Sequence, residues 1–340
     1  AWPAIERTSV RLTTLAVLLA GLALGVALVV WAGAGAVFGA ALATGVSGIL
    51  AITIFNVLPI AVCGIAWRAL VEPAPRRGAL LMIFARFLRS SVSELVPIGG
   101  ELLAIRAMTL HGIGTGAAGA ATVVDLTLEF LSQLAFTAMG LALLVLDGRD
   151  DGLALWSVLG LGVAALAALA FLLVQRGGLF HWLERLPHRL AAHAPWARLP
   201  ELVGLHAEVQ AIYRRPRALL GGFLWHCLGW VVGAGEAWLA LWLLNAPLGL
   251  GEVLILESLA FALRSAAFAV PAGVGVQEGG YAALGALFGL GPEIGLALSL
   301  LKRAREALLA VPALLAWKII EFRAWRSRSL AVAASPQPAD

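Results

Sequence analysis

Charge is what this chain has least of. Asp, Glu, Lys and Arg make up 13% of its 340 residues, and none stands between Leu12 and Trp67. At about 20 residues per crossing, that gap is long enough for two membrane-spanning helices, and a water-soluble fold has no use for it. Cysteine is scarce too. Cys63 and Cys227 each lie in an apolar run without a CxxC neighbour, which excludes a disulfide framework and a cysteine metal site. His181, His188 and His193 lack metal-ligand spacing. The chain has no G-x-x-x-x-G-K-[ST] phosphate loop, so direct coupling to ATP is not expected without a partner, and Gly273-x-Gly275 fails the dinucleotide spacing. Ser90, Ser91 and Ser93 form the one hydroxyl cluster near a carboxylate, and no histidine is positioned by sequence to activate them. Neither a cofactor nor enzyme activity is expected.

What is there instead is apolar. The hydrophobic residues reach 61% before the 38 glycines are counted, whereas soluble domains reach about 45–50% with glycine included. The chain reads as an all-α, polytopic integral membrane protein with about 7–9 hydrophobic segments of roughly 20 residues. The basic pI near 9.7 rests on a net charge of only +4, and the arginines fall between apolar runs, so nucleic acid is not an expected partner.

Those arginines set a topology. Arg7 and Arg11 precede the first span, Leu12–Ala32, which is long enough to cross and reads as a retained helix. Arg68, Arg76 and Arg77 follow the second, and the Gly33–Ala36 link carries no charge. The Asp147–Asp151 turn holds three acids and one arginine and is placed outside. Residues 175–217 hold seven arginines, no lysine and four prolines, and form the cytoplasmic basic loop. Within that loop Leu202, Leu205, Val209, Ile212 and Tyr213 share one helical face, the pattern of an interfacial helix. Both termini are expected in the cytoplasm, with 1–326 a single transmembrane domain and 327–340 a disordered tail.

Two stretches break this pattern. Residues 93–101, Ser-Glu-Leu-Val-Pro-Ile-Gly-Gly-Glu, contain Pro97, Gly99 and Gly100; residues 270–280 contain Pro271, Gly273 and Gly275. Proline removes a backbone donor and hydrocarbon offers no water, so such breaks survive only where protein or a wet cavity lines them. Each break lies in a region that must cross the membrane an odd number of times. Each region fits either two half-helices meeting at the break, possible re-entrant segments, followed by a full span, or three complete helices. The first reading gives an inverted repeat of the kind that places transporter substrates near the midplane. Arg89 lies eight residues before Pro97 and Arg264 seven before Pro271.

Ionisable groups inside a span cost roughly 2.5–3.5 kcal/mol each on insertion scales, so each needs a partner or a task. Asp125 and Glu129 sit four apart on one helical face and repel unless a cation or proton lies between them; Arg89 and Arg106 are the nearest basic candidates. Glu101 and Glu278 follow glycines closely and are expected to begin half-helices, where the dipole favours a carboxylate. The substrate-binding candidates are Arg89, Glu101, Arg106, Asp125, Glu129, Arg264, Glu278 and Arg305. They would form either ion pairs that lock the broken helices or a slot for a polar head group, arginine being suited to phosphate by its planar fork.

At these residues the chain resembles the transmembrane, flippase-like region of lysylphosphatidylglycerol synthases and its stand-alone relatives. The family pattern N-x-x-x-P-x-G-G-E is matched by residues 93–101 with Ser93 in place of asparagine, and P-G-G-x-G-x-x-E by Pro271–Glu278 with Ala272 in place of a glycine. Residues 275–281 and 296–306 further resemble the hopanoid-biosynthesis-associated membrane proteins. The resemblance implies an inner-membrane protein that moves a polar lipid, hopanoid or phospholipid, through an intramembrane slot, with lipid-synthesis enzymes as partners. No soluble aminoacyl-transferase domain follows Trp317, so lysyl transfer is not expected. The alternative is a membrane scaffold for lipid-synthesis enzymes.

Overall fold

The computed structural model describes residues 26–72, 78–93, 99–148, 205–267 and 273–333, with isolated positions 23, 158, 159, 162, 165, 166, 169 and 270. Regular structure is helical, and no strand occurs among the described residues. After a helical stretch at 26–31 the chain forms α1 (Ala34–Ala43), α2 (Gly45–Phe55) and α3 (Val57–Arg68). The charge-free link expected at Gly33–Ala36 narrows to a turn at Gly33, and a second break falls at Gly45, where φ is +64°. Glycine adopts that conformation without steric cost, so the apolar run bends there with no proline or charged residue to announce it.

The next three helices are α4 (Gly78–Ser93), α5 (Gly99–Leu110) and α6 (Thr115–Asp147); after α7 (Leu205–Tyr213) and α8 (Pro216–Leu243), the order recurs as α9 (Leu250–Ala266), α10 (Val276–Ala286) and α11 (Pro292–Ala333). In each set two short helices flank a proline-glycine segment, and a four- or five-residue turn then leads into a long helix. The 16 residues of α4 and 12 of α5 rise about 24 and 18 Å at 1.5 Å per residue, each short of a hydrocarbon core of about 30 Å. Three helical stretches among the described residues, Gly45–Arg68, Thr115–Asp147 and Pro216–Leu243, are long and apolar enough to cross it.

α6 is the spine. Its first half joins a core with Trp67, Met82, Met108 and Val209, and its second half joins another with Leu241, Leu256 and Leu298. α9 lies directly on it because Gly140 leaves room for Ser258; any Cβ at Gly140 would overlap that hydroxyl. α11 packs on α10, α1 and α4, and so ties the two sets together. Leu42, Ile54, Leu146 and Trp242 point outward, as an apolar solvent permits.

Two expectations change. The apolar face of α7 is buried in protein, with Val209 and Ile212 against α6, so it is a packed helix and its face is not left for head groups; Leu202 lies outside the described residues. The helix α11 continues to Ala333, so 327–333 are helical and not part of a disordered tail; residues 334–340 lie outside the described residues. At the start of α8, Pro216 takes the first helical position, where its missing N–H is no loss. Beside it Arg215 donates to the carbonyls of Ala69 (2.7 Å) and Leu70 (3.4 Å), satisfying the end of α3.

Candidate functional site

The first ion cluster forms where α4 meets α6. Arg86 and Arg89, three residues apart, occupy the buried face of α4; Asp125 and Glu129, four apart, face them from α6. Arg89 donates from Nη1 to Asp125 Oδ2 (2.7 Å) and from Nη2 to Glu129 Oε2 (2.5 Å). Arg86 grips both Glu129 oxygens, Nη1 at 2.9 Å and Nη2 on Oε1, and lies 3.5 Å from Asp125. Fork geometry of this kind is what a planar guanidinium offers a carboxylate. Two bases against two acids leave this core neutral, as a site without water requires.

Two groups extend it. His226 of α8 is fully enclosed and its Nε2 lies 2.9 Å from Asp125 Oδ1; because an ionised carboxylate only accepts, that nitrogen carries the proton. Glu101, the third residue of α5, meets Arg89 Nε at 3.4 Å and accepts from Ser93 Oγ at 3.3 Å. Gly100 makes this approach possible, since a Cβ there would overlap the Arg89 carbonyl and the Ser93 hydroxyl.

The second cluster joins α9, α10 and α11. Lys302 Nζ donates to Glu257 Oε2 (2.6 Å), and Tyr281 donates to the other oxygen (2.7 Å). Glu278, third residue of α10, accepts from the Gly275 amide (2.7 Å), Ser299 Oγ (3.3 Å) and Arg303 Nε (3.2 Å). Gly275 holds φ at +82°, a glycine conformation that lets the chain turn into the helix under its own carboxylate cap. Arg264 donates to Gln277 Oε1 (3.0 Å), and Gln277 Nε2 donates to Ser299 Oγ (3.1 Å). Arg305 pairs with Glu236 of α8 (3.3 Å), and the Asn56 amide donates to the same carboxylate. A cavity of about 90 Å³ opens among these side chains.

The two clusters occupy matching places. Asp125 and Glu129 are the eleventh and fifteenth residues of α6; Lys302 and Glu306 are the eleventh and fifteenth of α11. Glu101 and Glu278 are each third in their short helices. The sign at the eleventh position is exchanged: an acid on the long helix meets bases on α4, while a base on the other long helix meets an acid on α9.

Of the residues singled out in the sequence, Arg89, Glu101, Asp125 and Glu129 meet in the first cluster, and Arg264, Glu278 and Arg305 in the second. Arg106 joins neither; it pairs with Glu321 of α11 (3.0 Å) in a half-exposed bridge. Gly99 and Gly100 open α5, Gly273 and Gly275 precede α10, and Pro97 and Pro271 lie outside the described residues, as do His181, His188 and His193. Sequence reasoning missed His226, Glu236 and Asn56, whose partners lie 101 and 180 residues away. No three His, Cys, Asp or Glu side chains among the described residues converge in a way that would hold a metal.

Comparison with known proteins places this geometry in a family. No curated protein and no solved structure matches the chain. Residues 18–315, which include both ion clusters and every helix from α1 to α10, match the family described as the lysylphosphatidylglycerol synthase TM region. The chain is thus a multi-pass helical membrane protein belonging to the lysylphosphatidylglycerol synthase transmembrane family.

Proposed function

We propose that the protein is a lipid translocator that passes a polar head group, hopanoid or phospholipid, through a slot between its two ion clusters while the tails remain in the bilayer. The observation that carries this reading is the pair of charged clusters at matching positions of two helix sets, one of them opening on a cavity. Buried ionisable groups in a membrane mark substrate paths by default, and broken helices supply polar backbone at depth. On this reading α4–α5 and α9–α10 are re-entrant half-helix pairs of an inverted repeat. The protein sits in the bacterial inner membrane with both termini cytoplasmic, works without a cofactor or enzymatic turnover, and draws its substrate from lipid-synthesis enzymes.

The test is trans-bilayer movement of head-group-labelled lipids in liposomes holding purified wild type, Glu101→Gln or Arg264→Gln, read by quenching label in the outer leaflet. Rapid movement with wild type alone is the expected result. No movement across a panel that includes hopanoids would reject translocation. The tight pairing in the first cluster favours a second reading, a static scaffold for lipid-synthesis enzymes. It requires a partner that co-purifies stoichiometrically and is lost on changing residues 175–217.

A further inference from the structure

Glu306 is held unlike the other acids of the second cluster. Three guanidinium groups converge on it: Arg264 Nη1 (3.5 Å) and Arg305 Nη2 (3.4 Å) at Oε1, and Arg303 Nη1 (3.4 Å) at Oε2. None comes within the 2.7–2.9 Å or so of a charge-assisted hydrogen bond. Glu257 and Asp125, by contrast, have contacts of 2.6 and 2.7 Å. Each of the three arginines also meets a second partner, Arg264 on Gln277 (3.0 Å), Arg305 on Glu236 (3.3 Å) and Arg303 on Glu278 (3.2 Å), so they form a cationic ring around a loosely seated carboxylate. The cavity opens on this point, with Arg264, Gln277, Tyr281, Lys302, Arg305 and Glu306 in its wall; Arg303 is not part of that wall.

We propose that Glu306 is an internal stand-in for a ligand oxyanion, and that the cavity takes the phosphate or phosphodiester of an anionic lipid head group. The proposal rests on the reading of this region as a head-group slot and names what the slot selects. The charges of the ring and its anchors cancel: Glu236, Glu257, Glu278 and Glu306 against Arg264, Lys302, Arg303 and Arg305. An entering anion competes with the resident acids for these donors, and among those acids Glu306 has the weakest hold and a retreat onto Arg303. The oxyanion then takes the donors of Arg264 and Arg305, paired oxygens suiting their planar forks. The cavity is far smaller than the roughly 300–1,000 Å³ of a site that encloses a whole ligand, so the acyl chains stay outside. A neutral polyol head group gains nothing from this ring.

The experiment is calorimetric titration of the full chain in maltoside micelles with dihexanoyl phosphatidate, with inorganic phosphate, and with dihexanoylglycerol, which lacks the phosphate. Wild type should bind the phosphatidate. Glu306→Gln, with the competing anion gone, should bind it about tenfold tighter, and Arg264→Gln about tenfold weaker, a factor equal to one charged contact. Glu306→Asp, which draws the carboxylate back by one methylene, should also tighten binding and serves if the glutamine variant fails to fold. Inorganic phosphate matching the phosphatidate would uphold the oxyanion site and name the free ion as its occupant. Equal binding of dihexanoylglycerol, or no gain in either Glu306 variant, would overturn the proposal. Expected binding without trans-bilayer movement would reject translocation alone; movement without the Glu306 gain would reject this site alone.

Discussion

Arg89 stands between two carboxylates that cannot both be buried without it. It supplies the closest contact of Asp125 and one of the closest of Glu129, and its guanidinium lies 5.6 Å from the centre of the Trp67 ring. Removing one partner of a buried pair leaves an uncompensated charge, at a cost of about 3–5 kcal/mol. Arg89→Leu should therefore lower the melting temperature sharply and reduce the monodisperse fraction on size exclusion, and adding Asp125→Leu should recover part of the loss. Arg106→Leu, whose bridge to Glu321 is half-exposed, should cost less than about 1 kcal/mol in the same assay. Equal losses for the two arginines would refute the distinction. The i,i+4 acids and nearby arginines made this cluster readable in sequence, because like charges on one helical face demand a counter-ion. His226 was not readable: a single histidine in an apolar run carries no sign of a partner 101 residues earlier.

Among the helices, the breaks were legible and the bends were not. Proline and adjacent glycines mark the chain between α4 and α5, whereas Gly45, with only Thr44 and Ser47 beside it, has neither a proline nor a charge to set a turn apart from the span it interrupts. The element most dependent on one small residue is α5. Gly100→Ala would drive a methyl into the Arg89 carbonyl, lifting α5 from α4 and taking Glu101 away from Arg89; overpacking of this kind costs about 1–3 kcal/mol. Gly221→Ala, at the sixth residue of α8 with open space at its Cβ, should leave stability unchanged or raise it by roughly 0.5–1 kcal/mol. Thermal unfolding of the two alanine variants separates these outcomes. A neutral Gly100→Ala would mean that α5 does not seat against α4 as described.

For the whole molecule, the arginine distribution predicts which ends of the helices share a membrane face. Asp147, at the exposed end of α6, and Arg326, near the end of α11, should lie on opposite sides. A cysteine placed at Asp147 should react with a membrane-impermeant maleimide in intact cells, and one at Arg326 only after permeabilisation; the native Cys63 and Cys227 lie in apolar helices. Reaction of both from the same side would reject the crossing parity. The exchanged signs at the eleventh positions of α6 and α11 have a consequence for biogenesis. Every arginine and carboxylate of the first cluster finds its counter-ion between Arg86 and Glu129, and those of the second between Glu236 and Glu306. Synthesis delivers the N-terminal set first. Its core of Arg86, Arg89, Asp125 and Glu129 can settle into the bilayer with its charge already cancelled, without waiting for α11 to be made, and the later set brings its own neutrality with it.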